Sequence, residues 1–94
     1  MSQLRFTDED WLAEQVCDAV AEGQPRCVVL GKTMDWCLNT MRPKIISGLQ
    51  KRNLALTLPR GYRLYVDGST IIFTTPQLRE SHLAGVHGYG IFSM

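Results

Sequence analysis

The sequence predicts an α+β fold: a small single domain in which helix, strand, helix and helix precede a three-stranded antiparallel meander and a short C-terminal helix. Three observations carry this. Apolar residues in the first half recur at helical spacing, the period drops to two from Leu54 onward, and Gly, Pro and Asp-Gly steps punctuate the segments. At 94 residues the chain has room for one domain. Such a chain buries roughly 60–65% of its unfolded surface.

Thr7 is placed as the N-cap of the first helix, with Asp8, Glu9 and Asp10 in its first turn, where carboxylates favour the helix dipole. Phe6 and Trp11 occupy the positions of a hydrophobic staple, and Leu12, Val16, Ala19 and Val20 form one apolar stripe. Gly23 supplies the stop and Pro25 prevents continuation. Cys27-Val28-Val29-Leu30, followed by Gly31, reads as a short buried strand. Met34, Leu38, Met41, Ile45 and Leu49 then line a helical face, but Pro43 falls among them. A proline inside one helix costs about 3 kcal/mol. The reading with less strain is two helices, the first ending near residues 40–42 and the second opening with Pro43 in its first turn and running to about residue 52.

Leu54, Leu56 and Leu58 alternate with Ala55 and Thr57 as a strand, and Pro59-Arg60-Gly61 is turn chemistry. Strands are expected over residues 62–66 and 70–74, joined by an Asp67-Gly68 hairpin turn. Thr75-Pro76 can cap a last helix over residues 77–84, which Gly85 ends. The tail carries Tyr89, Ile91 and Phe92 between glycines, compatible with an edge strand or a packed loop. The expected core is Leu12, Val16, Val29, Leu38, Ile45, Leu49, Leu64 and Ile72.

No stretch approaches the ~18 apolar residues of a membrane span, and the N-terminus turns acidic rather than basic and then apolar, so the expected location is cytoplasmic. Cys17, Cys27 and Cys37 are ten residues apart, which is no zinc spacing, and read as reduced, buried thiols. His82 and His87 are five apart and fit no common ligand pair. No nucleophile, base and orienting group stand out as a set, so the expectation is a protein without catalytic activity, metal or cofactor. Leu30-Gly31-Lys32-Thr33 looks like the end of a phosphate-binding loop, but the glycine needed five positions before Gly31 is Arg26. The segment reads instead as a strand-to-helix corner.

The net charge of +1 hides a segregation. Asp8, Glu9, Asp10, Glu14, Asp18 and Glu22 follow one another without a cation, and Arg42, Lys44, Lys51, Arg52, Arg60 and Arg63 follow one another without an acid. Either the two runs face each other, or one of them faces a partner.

Arg42-Pro43-Lys44-Ile45-Ile46-Ser47-Gly48-Leu49-Gln50, followed by Thr57-Leu58-Pro59-Arg60-Gly61-Tyr62-Arg63-Leu64, resembles the recognition helix and wing of winged-helix repressors of the biotin-repressor type. The resemblance covers about 25 residues. It implies a winged-helix-like core over residues 1–66 and an additional strand, helix and tail over residues 67–94, where a homodimer contact would have room. It places Lys44, Ser47, Lys51 and Arg52 on the exposed face of a DNA-reading helix, Arg60 on the wing tip and Arg63 at its base. Cations without compensating acids suit a phosphate backbone on independent grounds. The sequence departs from the family at the turn, where Asp35 or Trp36 and Asn39 or Thr40 replace the small residue and glycine. The implied function is a small intracellular nucleic-acid-binding regulator of transcription that uses no cofactor and acts on duplex DNA. The alternative is a non-enzymatic inhibitor or adaptor of the kind phages and mobile elements encode. That protein would dock on a host protein through Asp8, Glu9, Asp10, Glu14 and Asp18.

Overall fold

The first helix, α1, spans Glu9–Ala21 in the computed structural model, which describes residues 3–56 and 61–94. Its cap is Asp8 rather than Thr7: the Asp8 carboxylate accepts the N–H groups of Asp10 at 2.8 Å and Trp11 at 3.2 Å. A carboxylate has the reach of a hydroxyl and adds a charge favourable to the dipole. The shift by one residue dissolves the expected staple. Phe6 stacks instead on Phe92, with ring centroids 6.2 Å apart, and Trp11 remains 57% exposed. Leu12, Val16 and Val20 are buried as their spacing predicts, and Gly23 follows the helix with φ +94°.

Among the described residues five strands form one mixed sheet: β1 (Gln3–Arg5), β2 (Arg26–Leu30), β3 (Arg63–Val66), β4 (Ser69–Thr74) and β5 (Gly90–Ser93), in the order β1-β5-β2-β4-β3. The α+β class holds, but the antiparallel meander shrinks to the β3–β4 hairpin, and β1, β5, β2 and β4 are mutually parallel. Asp67 and Gly68 both take positive φ, 38° and 84°, as the expected tight hairpin turn requires. Leu56 makes only an isolated bridge to Val66, and residues 57–60 lie outside the described residues. The tail supplies an interior strand, β5, seated between β1 and β2.

The expected break before Pro43 is absent. Residues Met34–Trp36 (α2), a π-helical turn Cys37–Met41 and Arg42–Lys51 (α3) form one continuous helix, with Trp36, Cys37, Met41 and Arg42 all in the right-handed helical region. Pro43 does lie in the first turn of α3, but no loop precedes it. The proline ring would collide with a carbonyl one turn earlier in a tight α-helix. The wider turn, in which the Arg42 N–H donates to the Cys37 carbonyl, accommodates it without breaking the helix. The structure therefore has no turn between the two expected helices.

The sheet separates two apolar clusters. On the first face Cys27, Val29, Ile71, Phe73, Leu64 and Phe92 pack with α1 and α3. The two helices approach closely at Gly48, where a Cβ would stand 2.6 Å from Cys17 Sγ. On the second face Val28, Ile72 and Ile91 pack with Leu83, which follows a single helical turn, α4 (Arg79–His82). This helix is shorter than the expected 77–84, and its N-cap is Leu78 rather than Thr75, whose hydroxyl accepts the Leu78 N–H at 3.3 Å in the turn before it. The expected core is buried except Leu38, which is half-buried. No helix among the described residues is long and apolar enough to cross a membrane.

Candidate functional site

Neighbouring strands β2 and β4 run parallel, yet the chain leaves them in opposite directions. From β2 it enters the helix on the first face, and from β4 it passes to α4 on the second. Where connections diverge at the carboxyl ends of parallel strands, an open sheet leaves a crevice that ligands use. A cleft of about 740 Å³ lies there. Its lining includes Leu30 and Lys32 at the end of β2, Trp36 of α2, Pro76 after β4, Met94 after β5, and Glu9 of α1.

Trp36 is the fixed wall of this cleft. Its ring lies against Gly31, where a Cβ would come 2.3 Å from the ring carbon Cε3, so only glycine allows the contact. Its indole N–H donates to the Glu9 carboxylate. Its backbone N–H donates to the Thr33 hydroxyl at 3.1 Å, which caps the helix. Gly31 in turn donates its N–H to the Thr74 carbonyl at 3.0 Å, tying the ends of β2 and β4 together beneath the cleft. Lys32 is exposed and makes no ion pair with any described residue. The cleft thus offers an anchored aromatic ring, apolar flanks, one unpaired cation and one carboxylate whose second oxygen is not used by the indole.

Of the residues singled out for DNA contact, Lys44 and Arg52 are paired within the molecule and Ser47 and Lys51 are exposed as expected. Lys44 Nζ binds Asp10 at 2.7 Å, and Arg52 reaches Glu14 at 2.7 Å, Asp18 at 2.8 Å and the Gly48 carbonyl at 2.9 Å. The Asp10 hydrogen bond pushes the Lys44 pKa up, and the hydrogen bonds to Glu14 and Asp18 do the same for Arg52. Arg63 lies on β3, where alternation with buried Leu64 and Val66 turns it to the second face, away from α3. There its guanidinium sits 5.4 Å from the centroid of the Tyr62 ring, and a hydrogen bond to Tyr65 raises its pKa. Arg60 lies outside the described residues.

The acidic run is also engaged within the molecule. Asp8 caps α1, Glu9 holds Trp36, Asp10 binds Lys44, and Glu14 and Asp18 share Arg52. Of the two readings of the charge segregation, the runs facing each other describes α1 and α3. Lys32, Trp36, Pro76 and Met94, which line the cleft, are not among the site residues expected from the sequence. The available signal was the glycine between a strand and a helix at Leu30-Gly31-Lys32-Thr33, which is indeed a strand-to-helix corner and also the floor of the cleft.

The fold and cleft define an α+β domain with an accessible crevice at the carboxyl edge of parallel strands. The chain matches no known protein family, no curated protein and no solved structure. Among the described residues no group of three or more His, Cys, Asp or Glu side chains is placed to hold a metal ion.

Proposed function

We propose that this protein is a small-ligand-binding domain whose site is the cleft at the carboxyl ends of β2, β4 and β5. The observation that carries the reading is the coincidence of the cleft with the point where the β2 and β4 connections part. Its volume of about 740 Å³ suits a drug-sized molecule. The reading is of binding without turnover: the Thr33 hydroxyl is engaged in capping the helix, and the Glu9 carboxylate in holding the Trp36 indole.

Duplex DNA binding has less support in this geometry. Lys44 and Arg52 are held by α1, and Arg63 points to the opposite face of the sheet. One experiment compares the two readings. The full chain, labelled with nitrogen-15, is titrated separately with a fragment collection and with short duplexes. Backbone shifts confined to residues 31–36, 74–76 and 93–94 are expected with fragments. Shifts at Ser47 and Lys51 with duplex, and none at the cleft with any fragment, would replace this proposal by the nucleic-acid one.

A further inference from the structure

We infer that the cleft selects a flat aromatic molecule carrying an anionic group, an inference that rests on the cleft being the binding site. The aromatic part follows from the wall. Trp36 is held by Gly31, Glu9 and Thr33 before any ligand arrives, and Leu30, Pro76 and Met94 supply apolar neighbours. A ring that is already immobilised offers stacking surface without a further loss of side-chain freedom.

The anionic part follows from Lys32. The α3 cations Lys44 and Arg52 are neutralised by α1, whereas Lys32 borders the cleft without an ion-pair partner among the described residues. An anion held there gains a charge partner that no internal carboxylate already occupies. Glu9 modifies this selection. It is needed to hold the indole N–H, but its charge opposes any anion in the same cleft. A glutamine at this position would still accept the indole N–H through its amide oxygen and would remove the charge. Glu9 therefore separates a structural role from an electrostatic one.

The test uses three probes: 1-naphthyl phosphate, its uncharged counterpart 1-naphthol, and inorganic phosphate. Binding is followed by backbone shifts and by Trp36 fluorescence in a Trp11→Phe background, which leaves Trp36 as the one tryptophan. 1-Naphthyl phosphate should bind about tenfold more tightly than either half alone. Lys32→Gln should weaken the charged probe about fivefold and leave 1-naphthol unchanged. Glu9→Gln should strengthen the charged probe by about two- to threefold. Adenosine monophosphate and 4-hydroxybenzoate, added as competitors, distinguish a phosphate source from a carboxylate source of the same chemistry. Equal binding of 1-naphthol and 1-naphthyl phosphate, or equal binding of phosphate alone, overturns the ligand class. So does a Lys32→Gln chain that binds all probes as before. If fragments of other chemistry still shift the cleft amides, the class alone has failed. If no fragment of any kind shifts them, the cleft reading itself has failed.

Discussion

The two faces of the sheet are covered in unlike ways. On the first, α1 and α3 bury Leu12, Val16, Met41, Ile45, Leu49 and Phe73 completely. On the second, one helical turn and its flanking loop rest on Val28, Ile72 and Ile91 through Leu83, with Tyr62 and His82 stacked at 3.7 Å beside them. The lesson is a division of labour. The first face holds most of the apolar burial, and hydrophobic stabilisation grows with apolar area removed from water. The second cover is thin, and the cleft opens where the two covers part. Stability and the candidate site therefore depend on different residues.

The largest expected effect breaks the first face. Phe73→Ala should destabilise by about 3–5 kcal/mol, a large share of the roughly 5–10 kcal/mol a domain of this size possesses. Leu83→Ala, at the second face and 8% exposed, should cost about 2 kcal/mol because the thin cover can settle into the space. Urea denaturation measures both. Equal losses would show that the two faces contribute alike.

Alkaline pH should weaken the first face next. Cys17, Cys27 and Cys37 all belong to its cluster. Burial pushes the Cys27 thiol up to about 12, and the Cys17 and Cys37 thiols up to about 11, from an ordinary 9.0. The folded chain thus keeps protons that the unfolded chain releases above pH 9. The stability from neutral thiols is complete below about pH 9 and is lost as pH rises through the folded values. By pH 10 the loss should be about 1 kcal/mol per thiol. Denaturation midpoints at pH 8, 9 and 10 give the slope, and Cys27→Ala should flatten it. An unchanged slope in that variant would exclude Cys27 as a source.

A smaller effect belongs to the contact between the helices. Gly48→Ala gains about 1 kcal/mol of helix propensity in isolation. Here the new methyl meets Cys17 Sγ, and overpacking of this kind costs about 1–3 kcal/mol. A net loss of about 1 kcal/mol is expected by urea denaturation, and the double variant with Cys17→Ala should recover it. If the double variant remained as unstable as Gly48→Ala, the close approach of α1 and α3 would lie elsewhere.

Local signals made part of this fold legible. The α1 stripe, the Gly23 stop, the buried strand around Val28 and Val29, and the Asp67-Gly68 hairpin are all set by residues near one another in sequence. The parallel pairings were not legible, because parallel strands meet through crossovers and leave no turn signature at the pairing itself. Tyr89, Ile91 and Phe92 lie among glycines and read equally as loop, and only the long-range pairing with Val28 and Leu4 makes residues 90–93 a strand. Pro43 misled for a specific reason: the sequence shows the clash but not the π-helical turn that relieves it. The cleft was hidden likewise, since Glu9, Trp36, Pro76 and Met94 come together from four segments far apart in sequence.

The smallest stability effects are expected at the charged edge between the two helices of the first face. Lys44 and Asp10 meet in solvent, with side chains 38% and 79% exposed, so Lys44→Gln should leave the melting temperature unchanged within error. Arg52 is more enclosed, at 22%, and bridges Glu14, Asp18 and the Gly48 carbonyl, so Arg52→Gln should lower stability by up to about 1 kcal/mol. Raising salt should shrink that difference, because exposed charges are screened within about 10 Å at 0.1 M. The same two variants also sharpen the functional comparison. Neither residue lines the cleft, so both should leave binding of the naphthyl probe intact. A duplex reading through α3 predicts otherwise. About four phosphate contacts would give a slope of log affinity against log salt of roughly −4, and each neutralised cation would reduce it by about one. Fluorescence anisotropy with short duplexes reads this slope. A steep slope that falls in both variants would mean that Lys44 and Arg52 leave their carboxylates for phosphate, and the functional edge of the molecule would then be α3 rather than the cleft.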